Sequence, residues 1–167
     1  LFIGSLNDNG WGVGIQQASG TNRINLTQIG TSNVLSTSSI TDTLWHHVAV
    51  TFDATISQAV FYIDGVADAP VVYSPNFNSG NSDYRLGGRN PAGNSNQLNF
   101  LNGTMDETRI WDTVLTQTEI RDWMCKKVTA AHPAFENLVG YYKFDEGSDT
   151  IAYSTGGHPG ILNNSPK

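Results

Sequence analysis

The run Trp45-His46-His47-Val48-Ala49-Val50-Thr51-Phe52-Asp53 constrains this chain more than any other stretch. β-Branched and aromatic side chains dominate it, and these fit a pleated, half-buried surface. Period-two alternation puts His46, Val48, Val50 and Phe52 on one face and Trp45, His47, Ala49 and Thr51 on the other. Both faces carry sizeable or apolar groups, so the strand belongs inside a two-layer structure. After a connection from Ala54 to Ser57, the segment Gln58 to Ile63 reads as the next strand, with Ala59, Phe61 and Ile63 on one face. Asp64-Gly65 then supplies a tight hairpin turn, because glycine tolerates positive φ. Val66 to Tyr73 returns as the partner, and Pro70 within it marks an edge or a bulge.

The rest of the chain repeats this grammar in shorter pieces. Trp11, Val13 and Ile15 alternate with Gly12, Gly14 and Gln16, a period-two pattern. Further strands are expected at Arg23 to Gln28, weakly within Thr31 to Thr43, at Tyr84 to Gly87, around Leu98 to Leu101, from Thr104 to Trp111 and from Leu138 to Phe144. Gly88 to Asn96 is a surface loop by composition, and a polar tail follows Phe144. One helix is expected: Thr116 and Glu119 have the spacing of a capping box, and Leu115 and Ile120 that of a hydrophobic staple. It should run to about Lys127. About ten short strands, many turns and one late helix mean an antiparallel sandwich or jelly roll. A parallel α/β fold would need alternating helices.

Composition narrows the partners. Charged residues are 14% of the 167 and the formal net charge is −6, so no basic patch is available to neutralise phosphates or anionic lipid. No run approaches the length of a membrane-spanning helix, so no membrane insertion is expected. The opening Leu1-Phe2-Ile3-Gly4 lacks the basic and long apolar regions of a signal peptide. Cys125 is the one cysteine; it excludes an internal disulfide and reads as a buried helix residue. His46 and His47, adjacent on a strand, point to opposite faces and cannot share one metal; one of them is expected to be a satisfied core histidine. Trp45, Trp111 and Trp123 are expected in the core, whereas Trp11 follows the turn-like Asn7-Asp8-Asn9-Gly10 and is open to either role. Two sequons, Asn25-Leu26-Thr27 and Asn102-Gly103-Thr104, could carry glycans in a eukaryotic secretory host.

Several of these segments together resemble a known family. The run from Trp45 to Asp53, the hairpin Phe61-Tyr62-Ile63-Asp64-Gly65, the strand Tyr84-Arg85-Leu86-Gly87, the segment from Phe100 to Trp111 and the helix start from Leu115 to Ile120 are similar, in order, to motifs of laminin-G-like jelly rolls of the concanavalin A-like superfamily. The ends depart from that pattern, for the family's usual opening strands do not occur. Residues 138 to 148 resemble the start of a following unit in a tandem array. The chain is therefore read as a jelly roll over 1–137 lacking the usual first strands, with 138–167 either starting a second unit or folding back to complete the same sandwich.

The resemblance implies an extracellular or cell-surface setting within a multidomain chain, and calcium as a candidate cofactor. By that resemblance Asp106 is the best metal position, with Asp145 and the backbone near Gly147 as partners; calcium needs six to eight oxygen ligands. Asp106 could equally cap a neighbouring loop. Jelly-roll lectins use exposed aromatics for sugar faces and amides for hydroxyls, which makes Tyr73, Asn76, Phe77, Asn78, Tyr84, Arg89 and Asn90 ligand-binding candidates. Asn- and Gly-rich loops are also ordinary turn chemistry. Catalysis is not expected. Asp106 and Glu107 are consecutive and face opposite sides of a sheet, whereas glycoside hydrolysis needs two carboxylates facing across a cleft. No nucleophile elbow or His-Glu-x-x-His motif occurs. The leading expectation is a non-catalytic module binding glycan or a surface protein. A structural spacer of a large adhesin or filament, and an accessory domain of a carbohydrate-active enzyme, are the alternatives.

Overall fold

The computed structural model describes residues 2–5, 10–77, 84–89, 99–147 and 151–162. The chain divides into two compact units, Leu1–Gly103 and Thr104–Lys167. Within the second of these units the strand starting at Leu138 hydrogen-bonds to one starting at Thr108.

The first unit holds β1 (Phe2–Ser5), β2 (Trp11–Ala18), β3 (Thr21–Gln28), β4 (Ser32–Ile40), β5 (Val48–Asp53), β6 (Gln58–Ile63), β7 (Val66–Ala67), β8 (Val71–Val72), β9 (Tyr84–Leu86), β10 (Gly88–Arg89) and β11 (Asn99–Phe100). One sheet has the order β4-β3-β2-β1-β9; a second is β5-β6-β7, with β8 also pairing β6. β2 and β3 pair without interruption from Trp11↔Gln28 to Ala18↔Thr21, across a turn where Ser19 and Gly20 both take positive φ. The expected hairpin at Asp64-Gly65 is built the same way, with φ of 52° and 74° and Ile63 opposite Val66. Positive φ at both central residues matches the twist of the flanking strands.

Face-to-face packing of these sheets makes a sandwich. Ile24 and Leu26 of β3 meet Ala59 and Phe61 of β6, with Tyr73 beside them, and Val48, Val50 and Phe52 pack against the cluster. Of the two β5 faces, the one carrying Val48, Val50 and Phe52 is thus the one that packs inward. Full burial of a side chain such as Phe61 contributes about 1.5–3 kcal/mol. Pro70 acts as predicted: the returning segment splits into β7 and β8 around residues 68–70. That gap also frees Asp68 to reach the other sheet, where its carboxylate accepts hydrogen bonds from the backbone N–H groups of Thr37 and Ser38 and from the Ser38 hydroxyl. The pairing of β3 with β4 shifts at this point. The buried Ser36 hydroxyl fills the irregularity, accepting from Ile24 N at 2.9 Å and donating to Ser38 O.

The second unit holds β12 (Thr108–Trp111), α1 (Gln117–Trp123), a 3-10 turn at Phe135–Asn137, β13 (Leu138–Tyr142), β14 (Ile151–Ala152), β15 (Ser154–Thr155) and β16 (Gly160–Ile161). The order is β12-β13-β15, with β14 and β16 paired separately. Residues beyond Phe144 therefore form short strands rather than a polar tail alone. Gly156 at their turn has φ +113°, and a Cβ there would lie 2.5 Å from Val139 O, so no other residue fits. The capping box forms as expected: Thr116 accepts from Glu119 N and the Glu119 carboxylate accepts from Thr116 N at 2.7 Å. Leu115 and Ile120 are buried.

Several expectations fail for identifiable reasons. The helix ends at Trp123, because Arg109 Nη1 and Nη2 take the carbonyls of Trp123 and Lys126 and turn the chain. Cys125 consequently lies past the helix and is exposed. β12 begins at Thr108 rather than Thr104, since Glu107 has φ +51° and cannot extend a strand. β5 begins at Val48, which leaves Trp45 outside the strand and 68% exposed rather than in the core. Gly88–Arg89, read as loop, is strand β10 paired with β11.

Candidate functional site

In the first unit the register sets Trp11 opposite Gln28 and Tyr84 opposite Ser5; Gly4 opposite Gly12 makes Ser5 level with Trp11. Trp11 and Tyr84 thus stand one strand apart at one end of the sheet, with ring centroids 5.4 Å apart and planes at 60°. Tyr84 is 47% exposed and Trp11 half-buried. Beside them the buried Gln28 side chain clamps the Asn76 backbone from both sides, donating to Asn76 O at 2.9 Å and accepting from Asn76 N at 3.1 Å. Asn76 itself is exposed. Asn76 and Tyr84, both far from Trp11 in sequence, are therefore brought to the end of the sheet that carries it.

Tyr73 lies elsewhere, 6% exposed within the core, where its hydroxyl accepts from Gln28 N at 2.8 Å and donates to Ser32 O at 3.0 Å. It occupies a core position, not a loop one. Phe77 packs edge-on against Phe52 and Tyr73. Asn78 and Asn90 lie outside the described residues, as does the side chain of Arg89.

The exposed edge of the first unit also carries a polar clasp. His46 bridges two carboxylates, with Nδ1 2.8 Å from Asp64 Oδ2 and Nε2 2.9 Å from Asp42 Oδ1. Neither histidine of the pair was expected in this role. The hydrogen bonds to Asp64 and Asp42 raise the His46 pKa above its ordinary value. Asp42 is held low by the Leu44 backbone N–H and by His46. Partial burial pushes Asp64 up, but hydrogen bonds from His46 and the His47 backbone outweigh it, and the net direction is down.

In the second unit a cleft of about 340 Å³ opens between the segment after β13 and β15, lined by Tyr141, Lys143, Asp145, Glu146, Tyr153, Ser154 and Thr155. Its walls are fixed from behind. The Tyr141 hydroxyl donates to Glu107, which also pairs with Arg109 at 3.0 Å, and the Ser154 hydroxyl accepts from Tyr141 N at 3.1 Å. Burial, then the Glu107 hydrogen bond, pushes the Tyr141 phenol up. Glu146 Oε1 accepts from Tyr153 N at 2.8 Å. Sequence reasoning singled out Asp145 but not this cleft, whose lining depends on the pairing of β13 with β15.

Calcium can be tested against these side chains. Asp145 Oδ2 is paired with Lys127 Nζ at 2.7 Å, which lowers the Asp145 pKa. Asp106 Oδ1 accepts from Glu107 N at 2.8 Å, the loop-capping role. Gly147 takes φ +71° in the turn after Asp145. Among the described residues no three His, Cys, Asp or Glu side chains converge on one point. As arranged, Asp106, Asp145 and Gly147 do not fit a cation that needs six to eight oxygens.

Comparison with known proteins places the fold. The Laminin_G_3 family model, concanavalin A-like lectin/glucanases superfamily, matches residues 1–121. Among solved structures, a proposed carbohydrate binding protein from Bacteroides ovatus ATCC 8483 is 24% identical with a TM-score of 0.65, over 82% of this chain and 38% of that one. An S-layer domain-containing protein from Clostridium thermocellum ATCC 27405 is 24% identical with a TM-score of 0.43, over 71% of this chain and 57% of that one. No curated protein matches. The chain spans well under half the length of the Bacteroides protein, and likeness at this identity concerns the fold alone. Among the described residues no helix is long and apolar enough to cross a membrane. A family model covering most of the chain, antiparallel sheets packed as a sandwich and, among the described residues, one late α-helix converge on one assignment: this chain belongs to the concanavalin A-like lectin/glucanases superfamily.

Proposed function

We propose that the chain is a non-catalytic module of an extracellular or cell-surface protein that binds glycan through the Trp11–Tyr84 end of its first unit. The ring pair carries this reading. Two aromatics in contact, one nearly half exposed, stand at the end of the sheet where Gln28, opposite Trp11, pins the backbone of an exposed asparagine. An aromatic face suits the C–H face of a sugar ring, and fixed polar groups beside it orient hydroxyls. The likeness to a proposed carbohydrate binding protein points the same way. Glu107 is engaged by Arg109 and Tyr141, which supports a non-catalytic role.

A glycan array probed with the intact chain, with and without calcium, tests the proposal. Binding of at least one glycan class is expected, weakened about tenfold by Tyr84→Ala and insensitive to calcium. Silence across neutral and acidic classes would sink it, and capture of a protein in place of glycan would redirect it.

A further inference from the structure

We infer that the cleft of the second unit is a separate saccharide subsite that takes a neutral sugar. It shares no residue with the Trp11–Tyr84 end and rests on a different set of observations. The cleft volume of about 340 Å³ falls at the small end of ligand sites. Tyr153 stands on its wall with 59% of its surface exposed, presenting an aromatic face on which a sugar ring can stack.

The hydrogen-bonding inventory then selects the ligand. Asp145 engages Lys127 through Oδ2 and Glu146 engages the Tyr153 backbone through Oε1. Among the described residues the second oxygen of each carboxylate takes no hydrogen bond, which leaves it to accept from a ligand hydroxyl. Lys143 supplies a donor: its ammonium rests 5.5 Å from the centroid of the Tyr141 ring and forms no salt bridge among the described residues. Donors and acceptors of both kinds around one aromatic wall match a polyol with an apolar face. The carboxylates of Asp145 and Glu146 balance the ammonium groups of Lys143 and Lys127, so an anionic sugar gains no net attraction. An apolar ligand would leave these polar groups unpaired. The walls are already tied to β12, β13 and β15, so little ordering is left for binding.

The test is backbone amide NMR on the intact chain, titrated with methyl glycosides of neutral hexoses and N-acetylhexosamines, their disaccharides, and matched uronic acids. Saturable shifts at Lys143, Glu146, Tyr153 and Thr155 are expected with at least one neutral sugar. Tyr153→Ala should weaken them about tenfold, with its melting curve unchanged because the ring is exposed. Tyr84→Ala should leave them intact. Shifts confined to uronic acids, no shift in these residues with any sugar, or equal loss in both variants would overturn the subsite. If glycan binding persists on the array and responds only to Tyr84→Ala, this inference fails while the proposed function stands.

Discussion

Residues 1–103 enclose an apolar interior between long strands, whereas residues 104–167 are organised around polar side chains. In the first unit Ile24, Leu26, Ala59 and Phe61 make the contact between sheets, with the ring of Tyr73 beside them. In the second unit Arg109 ties together Glu107, the end of α1 and the face of the buried Tyr141. His132 is stacked on Trp111 at 4.5 Å and tilted against Trp123 at 4.8 Å. Short strands provide few ladder bonds and little apolar area, so a small unit gains from side-chain hydrogen bonds that a long-stranded one does not need.

The two histidine environments show the same contrast. His46 sits between two carboxylates that favour its charged form, whereas burial among aromatics disfavours the charged form of His132 and lowers its pKa. The surroundings of His46 thus favour its charged form and those of His132 the neutral ring.

Three measurements test this contrast between the units. The largest effect is expected in the apolar core: Phe61→Ala should cost about 3–5 kcal/mol in denaturant unfolding, with a loss nearer 1 kcal/mol meaning that the sandwich interior is loosely packed. Next comes Arg109→Met, which removes the guanidinium and leaves the Trp123 and Lys126 carbonyls and the Glu107 carboxylate without it. A loss of about 2–4 kcal/mol is expected, and a neutral result would mean that the polar knot is incidental. The smallest effect is in pH. The raised His46 pKa contributes stability that is complete below its unfolded value of about 6.5 and is lost as pH rises through the folded value. The lowered His132 pKa contributes stability present above about 6.5 and lost as pH falls through its folded value. Melting temperatures between about pH 5 and 8 should therefore lose their alkaline decline in His46→Gln and their acid decline in His132→Gln. Matching profiles for the two variants would remove the distinction.

Sequence reasoning reached the first unit more easily because alternation reports which face of a strand is buried. Val48, Val50, Phe52, Phe61 and Ile63 all fall on the inner side, as their spacing requires. The Asp64-Gly65 turn, the break at Pro70 and the Thr116–Glu119 cap are local, and local signals survive in a single sequence. What escaped was set by distant partners. The end of α1 depends on Arg109, which lies 14 residues before Trp123. The meeting of Trp11 and Tyr84 depends on β1 lying between β2 and β9. The cleft depends on the pairing of β13 with β15, a strand of two residues, too short to leave a periodic trace. Trp45 was misplaced because composition extended the strand by three residues, while the pairing stops at Val48.

The Asp68 clamp has a consequence for how such domains behave when crowded together. β4 is nine residues long and outermost in its sheet, the kind of border along which a foreign strand can add and start a fibre. Its middle is interrupted at Ser36, and the amides of Thr37 and Ser38 are already claimed by a carboxylate from the opposite layer. A docking strand would meet a kink and a negative charge where it needs open donors. Asp68 is therefore placed to oppose edge-to-edge pairing, and Asp68→Ala should shorten the lag of fibre formation followed by light scattering.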